Sequence, residues 1–300
     1  MTPLLIFCIM IFTSAHAHAD SKSSIWNEWH AMLPYTPMPD IIKDLIKTDG
    51  NGHMLASKFP NPFNVRANVA GYFIWHNVSV DDVRHLFLKK DMKLGAVMKE
   101  VTLARTISGN TFLPREESDS IPFSSAKLGQ ILDRLAVVPG STTAKHIENT
   151  LRDCESPYSK GKTKFCATSL ESMIDFVTSE LRTRDLKVIA TTVHGKDEQQ
   201  ETTYKMAAEG KELPGDKLVA CHPQPYPYTI YYCHVNKAAK AYVVPLVRKD
   251  GVKVSTAVVC HFDTSNWKPI FFQVLKVKPG TKPAICHFVP QDHLLWTPNK

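Results

Sequence analysis

The chain has 300 residues, of which 43% are hydrophobic and 22% charged, and a formal net charge of +7. That length holds one or two domains, and that balance describes a globular chain rather than a disordered one. The lysines and arginines are scattered, with no dense block and no interleaved aromatics, which argues against a nucleic-acid partner. Diffuse positive charge suits an acidic matrix such as pectin, although net charge by itself is first a statement about solubility.

Residues Leu4 to Phe12 form an apolar run too short to span a bilayer. Ala15-His16-Ala17 and Ala17-His18-Ala19 then offer the small residues that a signal peptidase reads. Residues 1–19 are therefore read as a signal peptide despite the missing n-region lysine, and no later stretch predicts a membrane span. Removing the leader removes Cys8 and leaves Cys154, Cys166, Cys221, Cys233, Cys260 and Cys286. An even count in a secreted chain predicts a disulfide framework. Asn77-Val78-Ser79 is an N-glycosylation acceptor triplet, in keeping with the secretory pathway.

Residues 20–82 read as a short variable lead-in. Trp26 and Trp29 open it, Leu33 to Pro39 is proline-rich and extended, and Asp40 to Lys47 predicts one short helix. His85 to Leu88 and Val97 to Leu103 predict strands, and Pro114 to Pro122 a polar loop. Helices follow over Ser124 to Leu135 and Ser141 to Asp153. A third opens on Thr168-Ser169-Leu170-Glu171, read as a capping box, with Leu170, Met173, Ile174, Val177 and Leu181 at helical spacing.

After Leu186 the pattern changes. Leu186–His194, Lys217–His222, Tyr228–Val235, Ala241–Val247, Lys253–Phe262, Ile270–Val277 and Ala284–Val289 are rich in Val, Ile, Tyr and Phe and predict strands. Helices first and strands later predict an α+β fold: a helical N-terminal half followed by an antiparallel β-sheet or sandwich, cross-linked by disulfides.

One dipeptide recurs four times in that half: Cys221-His222, Cys233-His234, Cys260-His261 and Cys286-His287. Each pair falls in a predicted strand, where successive side chains point to opposite faces. If the four sulfurs face one way, the four imidazoles face the other. Thiolate zinc is the alternative for the sulfurs, but the spacing lacks the close pair of structural zinc sites, and an oxidising compartment favours disulfides. Three pairings of these four cysteines remain open. Cys154 and Cys166 stand apart from the Cys-His pairs, with turn-forming Ser156-Pro157 and Gly161 between them, and are expected to pair with each other. Four matched histidines point to a metal site; neutral imidazole suits copper, zinc, iron and nickel.

The four Cys-His pairs resemble the signature of the plant BURP domain. Cys154-Glu155-Ser156-Pro157, Lys164 to Met173, Gly215 to Val219, Tyr226-Pro227-Tyr228, Phe112 to Arg115, Ser120 to Phe123 and Trp296 are similar to other segments of that family. The resemblance places the domain over residues 83–296. The proline-rich lead-in is similar to a segment that follows the signal peptide in many members, most like the unknown-seed-protein type. The absence of a long repeat over residues 20–80 argues against the polygalacturonase beta-subunit type.

The resemblance implies a plant protein of the cell wall or storage vacuole, with cell-wall polysaccharide or a peptide as its partner. Two activities follow from it. One is a non-catalytic role in seed or tissue development; the other is a copper-dependent cyclase that cross-links a Tyr or Trp side chain within a core peptide. In either case His222, His234, His261 and His287 are the expected copper ligands, with His194 and His293 at the second rank. Gln224 to Tyr231 is the nearest candidate core peptide, although it is also similar to the ordinary strand found there in most members. Ala70 to Trp75 ranks below it.

Overall fold

Seven α-helices occur among the described residues of the computed structural model: α1 (Ser21–Met32), α2 (Asp40–Leu45), α3 (Arg115–Ser120), α4 (Leu128–Arg134), α5 (Thr142–Glu155), α6 (Leu170–Leu181) and α7 (Pro269–Val274). The structure describes residues 21–46, 64–65, 86–157, 163–195, 202–265, 267–278 and 281–300. The leader, Asn77 and the Ala70–Trp75 segment lie outside them.

The lead-in packs on the domain. Trp29 of α1 is fully buried and lies 5.8 Å, ring to ring, from Trp296. Its indole N–H donates to the Thr36 carbonyl, and the Thr36 hydroxyl donates to the Leu186 carbonyl at 2.8 Å. Burying such rings is worth roughly 2–3 kcal/mol each, enough to fix the start of the chain against the sheet. Ser169, not Thr168, caps α6: its hydroxyl accepts from the Ser172 N–H, and the Ser172 hydroxyl accepts from the Ser169 N–H, both at 3.1 Å. Glu171 does not close the box; its carboxylate accepts from the Arg115 N–H at 3.2 Å, at the start of α3. The stretch read as a loop after Pro114 is thus a short helix, with proline just ahead of its first turn.

Two antiparallel sheets are built mainly from the C-terminal half, with two edge strands contributed by residues 86–88 and 97–101. The five-stranded sheet runs β5 (Lys164–Ala167), β11 (Tyr231–Asn236), β10 (Leu218–Pro223), β15 (Leu294–Pro298) and β6 (Leu186–Ile189). The eight-stranded sheet runs β2 (Leu86–Leu88), β14 (Ile285–Phe288), β13 (Lys253–His261), β12 (Ala239–Arg248), β8 (Thr202–Met206) and β3 (Val97–Val101). Two short strands join it: β7 (Thr192–His194) on β13 and β9 (Lys211–Glu212) on β12. A small ladder pairs β1 (Asn64–Val65) with β4 (Ile107–Ser108). The α+β sandwich expected from the sequence is therefore present.

Period-two alternation sorts three cores. Val219, Cys221, Cys233 and Val235 face α1 and α6 in one cluster. Tyr242, Val244, Val258, Cys260 and Cys286 share a second with Val101 and Phe87, from the two edge strands, so the eight-stranded sheet curls around it. Between the sheets lies a third, built from Leu218, Ala220, Ala239, Ala241, Ala257, Val259 and Leu295. Its many alanines let the two sheets approach closely.

Two predicted strands are corrected. Ile270–Val277 contains a helix, α7, because Pro269 at its first turn presets the backbone and Phe271 buries against Leu86 and Ile285. Leu186–His194 is not one strand: β6 pairs β15 in one sheet and β7 pairs β13 in the other. All three disulfides are present: Cys154–Cys166 ties the end of α5 to β5, and Cys221–Cys233 and Cys260–Cys286 resolve the pairing that spacing left open.

Candidate functional site

Each of the last two disulfides joins residues directly opposite one another: Cys221 faces Cys233 in the β10–β11 register, and Cys260 faces Cys286 in β13–β14. The neighbouring histidines then turn to the other face. In the first register His222 lies opposite Tyr232, and in the second His261 lies opposite Ile285, so each histidine pair is diagonal. Long rings bridge a diagonal readily. His222 and His234 stack with centroids 5.1 Å apart, and His261 and His287 with centroids 5.5 Å apart. Both pairs meet Nε2 to Nε2, at 3.0 Å and 3.4 Å respectively.

The sequence expectation of sulfurs on one face and imidazoles on the other holds in both sheets. Within the pairs the rings touch one another, and among the described residues no three His, Cys, Asp or Glu side chains already surround a common point. His222 and His287 also sense each other electrostatically, one from each sheet.

His293 belongs to the cluster, although it lacks an adjacent cysteine. It is 3% exposed and sits in the crossing between β14 and β15, its Nδ1 2.8 Å from His222 Nδ1. His194, the other second-rank histidine, is exposed on β7. Beside His293 is Asp292, which the sequence reading did not single out. Its Oδ2 accepts from the Thr106 N–H at 2.7 Å, the Thr106 hydroxyl at 2.8 Å and the Ile107 N–H at 2.9 Å. Its Oδ1 accepts no hydrogen bond among the described residues and lies 3.9 Å from His293 Nε2. The available signal was the Asp-His dipeptide after Pro290-Gln291, at a turn between two strands.

Burial governs the charges here. It pushes His222 down to about 3, with the neighbouring His287 adding repulsion. His293 is driven well below the ordinary histidine value by burial and by His222 and His287. Burial pushes Asp292 up to about 6, against the three donors that favour its charged form. His222 and His293 are thus neutral near pH 7, the form in which histidine is a ligand.

The nearest candidate core peptide, Gln224 to Tyr231, is buried. Tyr226 and Tyr228 are 0% and 1% exposed, packed with Ile131, Ile147 and Leu151 of the helical layer. Tyr231 is buried too, and its hydroxyl donates to the Asp292 carbonyl at 2.7 Å. Other aromatics do touch the cluster: the Tyr232 ring lies 6.1 Å from His234, and the Trp267 ring 5.2 Å from His261.

Residues 85–298 match the model of the BURP domain. This chain belongs to the BURP-domain family. All four Cys-His pairs, both cross-strand disulfides and His293 fall inside the matched region. BURP domain-containing protein 3 of rice is 46% identical over 245 residues, 78% of this chain and 56% of that protein. BURP domain-containing protein 5 of rice is 41% identical over 278 residues, 90% of this chain and 85% of that protein. BURP domain protein RD22 of Arabidopsis is 41% identical over 215 residues, 70% of this chain and 54% of that protein. The chain thus spans about half the length of two of these relatives and most of the third. It is a plant-type BURP protein. Its disulfides fit a secreted protein, and among the described residues no helix is long and apolar enough to cross a membrane.

Proposed function

We propose that this BURP protein acts in the plant cell wall or storage vacuole, without catalysis, in seed or tissue development, and that His222, His234, His261 and His287 hold copper(II). The observation that supports the metal is the meeting of two imidazole pairs, one from each sheet, Nε2 to Nε2 at 3.0 and 3.4 Å. Two nitrogens bound to one ion at about 2.0–2.1 Å stand about 2.8–3.4 Å apart, from right-angled to tetrahedral geometry. An all-imidazole donor set near the top of the divalent affinity order suits copper(II).

The enzymatic alternative rests on one specific observation, the Tyr232 and Trp267 rings against the two pairs. Bound copper would supply one-electron oxidation of a phenol or indole. Because Tyr226 and Tyr228 are locked in a core, such a substrate would be a separate peptide rather than this segment. An acidic polysaccharide partner is supported by a cavity of about 490 Å³ lined by Lys89, Lys90, Lys276 and Lys278, with no carboxylate in its wall among the described residues.

The test is intact mass of the copper-loaded, aerated full chain, alone and with Tyr- or Trp-bearing peptides. The non-catalytic reading expects unchanged masses. Loss of two hydrogens on any such peptide establishes the alternative.

A further inference from the structure

The ring nitrogens of the cluster form a chain with chemically distinct ends. It runs from Asn236 Nδ2 to His234 Nδ1 at 3.4 Å, His234 Nε2 to His222 Nε2 at 3.0 Å, and His222 Nδ1 to His293 Nδ1 at 2.8 Å. It finishes with His293 Nε2 facing Asp292 Oδ1 across 3.9 Å. That last contact is electrostatic rather than a hydrogen bond, but a carboxylate oxygen favours an N–H before it over a lone pair. A neutral imidazole carries one N–H and one lone pair, so fixing one nitrogen fixes the other.

Starting at the carboxylate, His293 holds its proton on Nε2 and accepts at Nδ1. His222 must then donate from Nδ1 and accept at Nε2. His234 must donate from Nε2 and accept at Nδ1, where the Asn236 amide N–H stands. Every link is satisfied in this direction. In the reverse direction the His293 lone pair would face Asp292 Oδ1.

The second pair obeys the same order for a different reason. His287 Nδ1 is 3.0 Å from the carbonyl oxygen of Phe288, which can only accept. His287 therefore donates from Nδ1 and presents an accepting Nε2 to His261 Nε2.

We propose that Asp292 and His293 are positioning residues that hold His222 in the Nδ1–H tautomer, as the Phe288 carbonyl holds His287. In both sheets the Nδ1 proton is thereby tied outward and the Nε2 lone pair is turned toward the partner ring. An outward Nδ1–H bond that fixes tautomer and ring orientation is what a metal-binding histidine requires of its surroundings. The relevance to copper rests on the reading above; the tautomer order itself does not.

The experiment is ¹⁵N NMR of histidine-labelled, metal-free full-length protein at mildly alkaline pH, which separates protonated from unprotonated ring nitrogens. The expected result is Nδ1–H for His222 and His287 and Nε2–H for His234, His261 and His293. An Nε2–H tautomer at His222 overturns the proposal. Asp292→Asn gives a second reading. The three donors at Oδ2 would keep the amide oxygen there, so the amide NH₂ would face His293 Nε2 and reverse the chain. His222 would move to Nε2–H, while His287, held by a main-chain carbonyl, stays unchanged and reports that the fold survives. No change at His222 in that variant, with His287 intact, removes Asp292 from the role. Copper titration of the same samples is a separate readout: absence of binding with the expected tautomers would defeat the metal reading and leave this one standing.

Discussion

At the scale of single residues, burial makes this cluster sensitive to acid. In the metal-free protein His222 sits at about 3, against ~6.5 in the unfolded chain. Between those values the unfolded chain binds the extra proton. Its stability contribution is therefore intact above pH ~6.5 and is lost as pH falls, by up to about 5 kcal/mol. His293 acts in the same direction. Asp292 acts the other way: raised to about 6 from ~3.9, it is protonated first in the folded chain, so it adds stability as pH falls through 6 toward 4. The histidines outweigh it, and urea midpoints are expected to fall steadily below pH 6.5. Asp292→Asn removes the opposing gain, so its midpoint should fall more steeply between pH 6 and 4. A wild-type midpoint that rises toward pH 4 contradicts this assignment.

At the scale of elements, the cross-strand disulfides do two things at once: they close the ladder and set the histidine diagonal. Replacing both Cys221 and Cys233 by serine should cost about 3 kcal/mol by chain entropy and also weaken copper binding. Replacing Cys154 and Cys166 should cost a similar amount, since the loop is of equal length, but leave copper affinity unchanged, because that bond ties α5 to β5. Equal copper affinity in both double variants would detach the metal site from the strand geometry. The opposition of sulfur and imidazole was legible in the sequence, since it needs only period-two alternation. The pairing was not, because Cys221 and Cys260 find their partners through a register that depends on which strands share a sheet. His293 was underrated because it sits on a crossing, where no strand period applies. Ile270–Val277 was misread because a short apolar run looks alike in helix and strand, and only its tertiary contacts decide.

At the scale of the whole molecule, two antiparallel sheets approach through an alanine-rich seam with the imidazoles of both gathered on it, while lysines ring a separate cavity. Lys90, Lys276 and Lys278 line that cavity beside Lys89, whose ammonium lies over the Tyr242 ring. Replacing the first three by glutamine should weaken binding to polygalacturonate and flatten its salt dependence. Wild-type binding should fall roughly twentyfold between 50 and 200 mM salt if about three cations are engaged. Salt-independent binding, or none, removes the polyanion from the account. The central claim concerns the histidines, and its most direct test is copper(II) titration followed by EPR of the wild type and of the variant with His222, His234, His261 and His287 all replaced by alanine. The account predicts saturable binding with nitrogen hyperfine structure in the wild type and loss of both in the variant, with all three disulfides still formed. Unchanged copper occupancy and hyperfine pattern in the variant would contradict it.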